Sequence, residues 1–278
     1  MSVVDACKLL HVSRSGYYAW RTRKPGKRAR ENTRLSAFIL GIHTSIDERY
    51  KVRYGVRRMH QELRLGKGLT CTKKRVRRLM RQMGLYGTHY RRPWKTTIPA
   101  RDAPVIPDLV KRNFAPRRAG MLWVTDITEV PLRNGKAYCA AIQDAFTKEV
   151  VGHAVQDTME TSLVMHALEL ALARTPKCRR RRLILHGDHG SQYTSFEYLD
   201  RLRQERIRPS FGSVGDCYDN ALAESLNASL EKEFLRTHRL VTVEQARVEI
   251  FQYFEEFYNG VRRHSSIGYR TPREFAAA

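Results

Sequence analysis

From residue 119 onward the hydrophobic pattern changes from helical spacing to short apolar runs broken by turn residues, and this change limits the fold more than any other feature. Runs at 122–130, 136–143 and 149–155 alternate like strands, and the breaks at 133–135 and 146–148 read as hairpins. A helix follows at 159–174, with Leu163, His166, Ala167, Leu170 and Ala171 inward. Then come a strand at 182–186, a helix at 194–206, a strand at 207–211 and a helix within 212–232. A long helix at 242–259 is opened by a Thr242/Gln245 capping box and packs Val243, Ala246, Ile250, Phe251, Phe254 and Phe257. This order predicts an α/β fold with a mixed five-stranded sheet and flanking helices, with ligands near the carboxyl ends of the strands.

Three acids stand out against that frame. Asp126 interrupts the apolar run LWVTDITE, Asp188 follows the apolar Leu183–Leu185, and Glu224 lies in the later helix. Each has an ordinary explanation: a satisfied core acid, a turn before Gly190, and an exposed helix acid. An Asp within a strand of Leu, Trp, Val and Ile is nonetheless unfavourable by propensity, and a buried charge needs a partner. No Lys or Arg adjoins any of the three. Two carboxylates about 4 Å apart repel by roughly 4 kcal/mol at an effective dielectric of about 20, so converging acids call for a divalent cation. Hard oxygen ligands suit magnesium or manganese. Glu224 is offset about 200° from Leu222 and shares a polar stripe with Asn220, Asn227 and Glu231. Asp216, Asp219 and Asp144 are rival acids. Asp219 is assigned to capping the helix and Asp216 to the loop before it. His186, His189 and His264 lack the paired spacing of a zinc site.

The remaining chain is dominated by charge. The net charge is +23, and residues 1–118 hold 30 Lys and Arg against 7 Asp and Glu, whereas residues 119–278 hold 21 of each. Segregation this complete favours a polyanion over a merely solvated face. Residues 3–10 and 14–23 read as the last two helices of a helix-turn-helix, capped at Ser13, with Tyr17, Tyr18 and Trp20 assigned to its core. Leu35, Phe38, Ile39, Ile42 and Ile46 form one helical face. Residues 54–85 form a second helix-turn-helix candidate, its second helix capped at Thr72 and stopped at Gly84. Lys73, Lys74, Arg77, Arg78 and Arg81 remain on the open face for DNA phosphates. The expected division is a DNA-binding region at 1–90, a basic extended linker at 91–118 and a sheet-bearing domain at 119–278. Five scattered cysteines without a C-x-x-C pair read as reduced thiols. With no membrane-length apolar run and no secretory pattern, the expectation is a cytoplasmic, nucleoid-associated protein without a membrane partner.

Four ordered motifs carry a family resemblance: WVTDIT at 123–128, HGDHGSQYTS at 186–195, GDCYDNALAES at 215–225 and YNGVRRHSSIGYRTPREF at 258–275. Asp126 and Asp188 are 62 positions apart, and 35 residues lie between Asp188 and Glu224. The chain resembles insertion-sequence transposases of the OrfB type of the "IS-three" family, within the retroviral-integrase superfamily. The resemblance implies an RNase H-like catalytic domain in which Asp126, Asp188 and Glu224 form a DDE triad holding two magnesium (or manganese) ions. It implies cleavage at the element's ends by water, then attack of the freed 3′-hydroxyl on target DNA. It further implies a homo-oligomer on double-stranded DNA and an upstream OrfA product joined by frameshift. Ser191 and Tyr193 would flank the site and position DNA, Lys232 would swing toward the substrate, and Arg262, Arg263 and His264 would either approach it or be ordinary surface charge. The family usually places Lys or Arg seven positions after the catalytic Glu; here that position is Glu231. The alternatives are a non-catalytic DNA-binding regulator or decayed remnant, and a general RNase H-like nuclease.

Overall fold

The computed structural model describes residues 2–88, 106–180, 182–212 and 220–278. Among them, β1 (Leu122–Leu132), β2 (Gly135–Asp144), β3 (Val150–Gln156), β4 (Ile184–Gly187) and β5 (Arg208–Phe211) form one sheet in the order β3-β2-β1-β4-β5. The first three strands run antiparallel, and the β1–β2 turn closes at Gly135, whose φ of 128° is open to glycine alone. β4 pairs with β1, and β5 with β4, in parallel. The sheet is therefore mixed, as its element order predicts. Two parallel strands need helical crossovers, which the sequence supplies between β3 and β4 and between β4 and β5.

The helices are α1 (Val3–Leu9), α2 (Arg14–Thr22), α3 (Lys27–Tyr50), α4 (Val56–Gln61), α5 (Lys73–Gln82), α6 (Thr161–Arg174), α7 (Phe196–Gln204), α8 (Ala221–Leu230), α9 (Val243–Gln252) and α10 (Pro272–Ala276). α4, α8 and α9 continue through wider π turns at Glu62–Gly66, Glu231–Leu235 and Tyr253–Tyr258. One face of the sheet packs Trp123, Ala140 and Ile142 against Leu163 and Leu168 of α6 and Leu202 of α7. In α6 the inward face includes Val164 and Leu168, while His166 is exposed and meets Gln156 at 2.8 Å.

The opposite face sets Leu122 and Val124 against Ala223 of α8. Further along, Val130, Cys139 and Val155 meet Leu226, Leu230, Phe254 and Phe257. The same apolar cluster takes in Leu35, Ile39, Ile42 and Ile46 of α3 with Met59, Leu63, Val76, Leu79 and Met80. At about 1.5–3 kcal/mol for each large apolar side chain fully buried, this shared core couples the basic helices firmly to the sheet. Ion pairs reinforce the seam: Arg49–Glu256 at 2.9 Å, Arg58–Glu233 at 2.8 Å and Arg263–Glu62 at 2.8 Å.

Several local expectations change. α2 buries none of its residues; Trp20 is 72% exposed, and Tyr17 and Tyr18 stack edge to face at 5.3 Å instead of forming a small core. A pair of helices of seven and nine residues offers too little surface to enclose aromatics. Part of the expected linker lies on the sheet domain. Val110 is buried against Leu122, Val124 and Ala223, and the Leu109 N–H donates to Ser210 Oγ at 2.9 Å. Thr242 caps α9 by accepting from the Gln245 N–H, but Gln245 accepts in return from the Val241 N–H. The reciprocal box occurs instead at Thr271 and Glu274 of α10.

Candidate active site

The site is built where β1, β4 and α8 meet. Val124 of β1 pairs with His186 of β4, the last pair of their parallel ladder; Asp126 lies two residues further along β1, and Asp188 directly follows Gly187, where β4 ends. Both lie at the carboxyl end of β4, where ligands gather in sheets with crossover helices. Strand alternation turns Asp126 to the same face as Val124, the face that α8 covers. The strands approach closely here: a Cβ on Gly187 would lie 3.1 Å from Thr125 Cγ2.

α8 is tied to β1 by two amides. Asn220, at its start, donates to the Thr125 carbonyl at 3.1 Å, and Asn227 donates to Asp126 Oδ2 at 2.8 Å. Asp126 Oδ1 accepts from the Ile127 N–H at 2.9 Å. Glu224 lies between the two asparagines on the stripe they define, one turn from Asn227. All three acids are half-buried. Asp188 Oδ1 accepts from the Gly190 N–H at 3.1 Å, so the turn role and a ligand role coexist there. Among the described residues no Lys or Arg forms an ion pair with Asp188 or Glu224.

Behind the acids stands Tyr193. It is buried, and its hydroxyl meets Thr125 Oγ1 at 3.1 Å. Burial pushes its phenol well above the ordinary value, and the charges of Asp126 and Asp188 push it further. Tyr193 therefore supports the strand ends from within and does not face DNA, contrary to expectation. The rival acid Asp144 is a turn-builder: Oδ2 accepts from the Gly120 N–H at 2.7 Å and Oδ1 from Phe146 and Thr147. Asp216 and Asp219 lie outside the described residues.

The donor set fits a hard divalent cation in kind, being three carboxylates. It is not a finished cage. Among the described residues no three Asp, Glu, His or Cys side chains stand close enough to hold one ion. Asp126 is turned to Asn227. His186 is fully buried with Nδ1 2.9 Å from Ser210 Oγ, and the His189 ring packs on Phe211, so neither extends the set.

The basic residues divide sharply. Lys73, Lys74, Arg77, Arg78 and Arg81 are all exposed along α5, while Val76, Leu79 and Met80 face the core. Arg262 and Arg263, expected at the substrate, are buried instead. Arg262 Nε donates to Glu233 at 2.7 Å; Arg263 donates to Glu62 at 2.8 Å and to Glu274 at 2.9 Å. A guanidinium loses too much hydration on burial to remain unpaired, and partners 29 and 201 residues away provide the pairing. Glu231 is paired with Arg236, Nε to Oε1 at 3.1 Å, so its charge is compensated locally; Lys232 is half-buried.

Comparison with known proteins places this arrangement. An integrase core domain model matches residues 116–217, a second integrase core domain model matches 205–272, and an HTH-like domain model matches 30–93. The transposase for insertion sequence element IS629 of Shigella sonnei is 37% identical over 272 residues, covering 96% of this chain and 89% of that protein. Transposase InsF for insertion sequence IS3A of Escherichia coli (strain K12) is 33% identical over 276 residues, covering 99% and 93%. The chain belongs to the IS-three (IS3) family of insertion-sequence transposases. Its function is DNA transposition, carried on an RNase H-like integrase core preceded by a helix-turn-helix-like region that binds DNA; a non-catalytic regulator is not favoured. A chain of the simian T-cell lymphotropic virus intasome, in complex with PP2A regulatory subunit B56 gamma, aligns with 81% of this transposase and 71% of its own length, at 16% identity and a TM-score of 0.48. No helix among the described residues is long and apolar enough to cross a membrane.

Asn227 is the neighbour of Asp126 that the sequence does not single out. Its place on the Glu224 stripe was visible, but its bond to Asp126 depends on α8 crossing β1.

Proposed function

We propose that Asp126, Asp188 and Glu224 are the catalytic carboxylates of a polynucleotidyl transferase that cleaves the element's ends and joins them to target DNA. The observation that carries this reading is that β1, which bears Asp126, pairs in parallel with β4, which ends just before Asp188, while Asn227 ties α8, the helix of Glu224, to Asp126. Magnesium or manganese bound by the three acids would polarise the scissile phosphodiester and lower the pKa of the attacking hydroxyl.

The chain's own residues do the rest. Asn227 fixes the Asp126 carboxylate from the α8 side, and Thr125 and Tyr193 brace the strand end beneath it. Water attacks phosphorus at the element's end and the 3′-oxygen leaves as a hydroxyl. That hydroxyl then attacks a target phosphodiester, a new P–O bond replaces the old one, and no covalent protein–DNA link forms. The exposed cations of α5 hold duplex DNA, and the shared core fixes that helix relative to the sheet. Under this reading the chain divides at 90 and 118 into DNA-binding, linking and catalytic parts. Pairing two ends requires at least two copies on DNA, and an upstream OrfA product is a further partner.

The test supplies a labelled terminal-repeat end, a target duplex and magnesium. Wild-type protein yields a joined product and Asp188→Asn yields none. Cleavage at unspecific sites without joining would make the protein a plain nuclease and overturn the reading.

A further inference from the structure

A second polar site lies on the other flank of α8. Leu222, Ser225, Leu226 and Ser229 recur at helical spacing on the side turned away from Asn220, Glu224 and Asn227, and they wall a cavity of about 390 Å³. Its lining contains Arg57, Arg58, Lys148, Arg262 and Arg263 but no Asp or Glu. Three of the five, Arg58, Arg262 and Arg263, pair with carboxylates outside the lining, Glu233, Glu62 and Glu274. The cavity is left with an excess of positive charge. Arg57 is exposed at the rim and makes no ion pair among the described residues. Ser265 and Ser266 form the opposite rim, both exposed, above buried Arg262, Arg263 and His264.

The local field has a visible consequence. Burial first, and then Arg262, Arg58 and Lys148, hold the His264 imidazole down to about 2, so the ring stays neutral and accepts from Arg262 at 2.8 Å. Burial likewise lowers the Lys148 ammonium below its usual value. Cations crowded into a walled space without acids, ringed by serine hydroxyls, match the chemistry of a tetrahedral oxyanion.

We propose that this cavity binds a phosphate group of the DNA strand being processed, with Arg57 and the hydroxyls of Ser225, Ser265 and Ser266 as its direct contacts. Arg262 and Arg263 remain in their ion pairs and contribute positive potential from below. The cavity and the acids flank one helix about 10 Å across. The strand assignment rests on the transposase reading above; the oxyanion site does not.

The experiment uses the full chain as wild type, Arg57→Ala, Ser266→Glu and a surface control, Arg239→Ala. Arg57, Ser266 and Arg239 are all exposed, so the substitutions spare the core. Inorganic phosphate at tenfold its Kd should raise the wild-type Tm by about 3 °C over chloride at equal ionic strength, and both cavity variants should lose this. With an end-bearing duplex, Arg57→Ala should lower the log–log salt slope by about 0.9, and Ser266→Glu should weaken binding about tenfold, neither change appearing in Arg239→Ala. Phosphate protection lost in the variants with unchanged DNA binding would support an oxyanion site but overturn its assignment to DNA. No phosphate protection, and variants indistinguishable from Arg239→Ala on DNA, would overturn the proposal entirely. Joining by the same wild-type preparation reports separately on the catalytic reading.

Discussion

Two groups of carboxylates lie on either side of α8, and they are treated in opposite ways. Glu233, midway through the π turn that continues the helix, is mostly covered and meets Arg58 at 2.8 Å and Arg262 at 2.7 Å. Burial pushes its carboxyl up, but the two guanidiniums outweigh burial and hold it down at about 2. Glu255 is likewise surrounded, by Arg174, Arg273 and His153. Asp188 and Glu224 have no such partner among the described residues. Paired acids hold the fold together, while acids kept from protein cations are available to a ligand. The expected cost of removing each kind therefore differs in both size and nature.

The largest effect should come from the acids without cationic partners. Asp188→Asn should reduce strand joining by at least about a thousandfold while leaving the Tm unchanged or slightly higher, since repulsion from Asp126 is relieved. A joining assay and a thermal melt on the same preparation check both halves. Glu233→Ala should do the reverse in kind, costing about 3–5 kcal/mol in urea unfolding because Arg58 and Arg262 are left buried without a counter-charge.

Acidification separates the same groups. Glu233 has a folded pKa depressed to about 2 against 4.5 unfolded, so its contribution is complete above about pH 4.5 and is lost as pH falls toward 2. That contribution amounts to about 3 kcal/mol. His264 is also depressed, to about 2 from 6.5, so below pH 6.5 the unfolded chain takes up a proton that the folded chain refuses. Stability should fall by roughly 1 kcal/mol per pH unit on this account, and His264→Leu should flatten that slope in urea melts between pH 6.5 and 5. A slope unchanged by the substitution would show that the ring is not held neutral. The smallest effect sits between the two groups. Asn227→Ala should cost about 1 kcal/mol of stability but lower joining about tenfold, because the Asp126 carboxylate loses the bond that orients it.

The contrast also shows what a one-dimensional reading can reach. Strand and helix order from 119 onward was legible because apolar runs, turn residues and periodicity are local signals; β1 to β5 fall on the expected runs. The approach of Asp126 and Asp188 from neighbouring strands followed from that order once β1 and β4 pair in parallel. The exposed cations of α5 were legible from helical spacing. Arg262 and Arg263 were not: in sequence they resemble any surface pair, and their burial depends on Glu233, Glu62 and Glu274 arriving from three elements. Nor could sequence show that residues 106–114 lie on the sheet, since Ile106, Leu109, Val110 and Phe114 follow neither helical nor strand alternation in a Pro- and Arg-rich stretch. Local patterns forecast elements; long-range partners decide whether a charge is structural or chemical.

Manganese binding to the full chain, followed by electron paramagnetic resonance, tests most directly whether the three acids act together. The account predicts that Asp126→Asn, Asp188→Asn and Glu224→Gln each abolish or strongly weaken binding, while Glu231→Gln does not. Wild-type affinity retained in all three acid variants would contradict it.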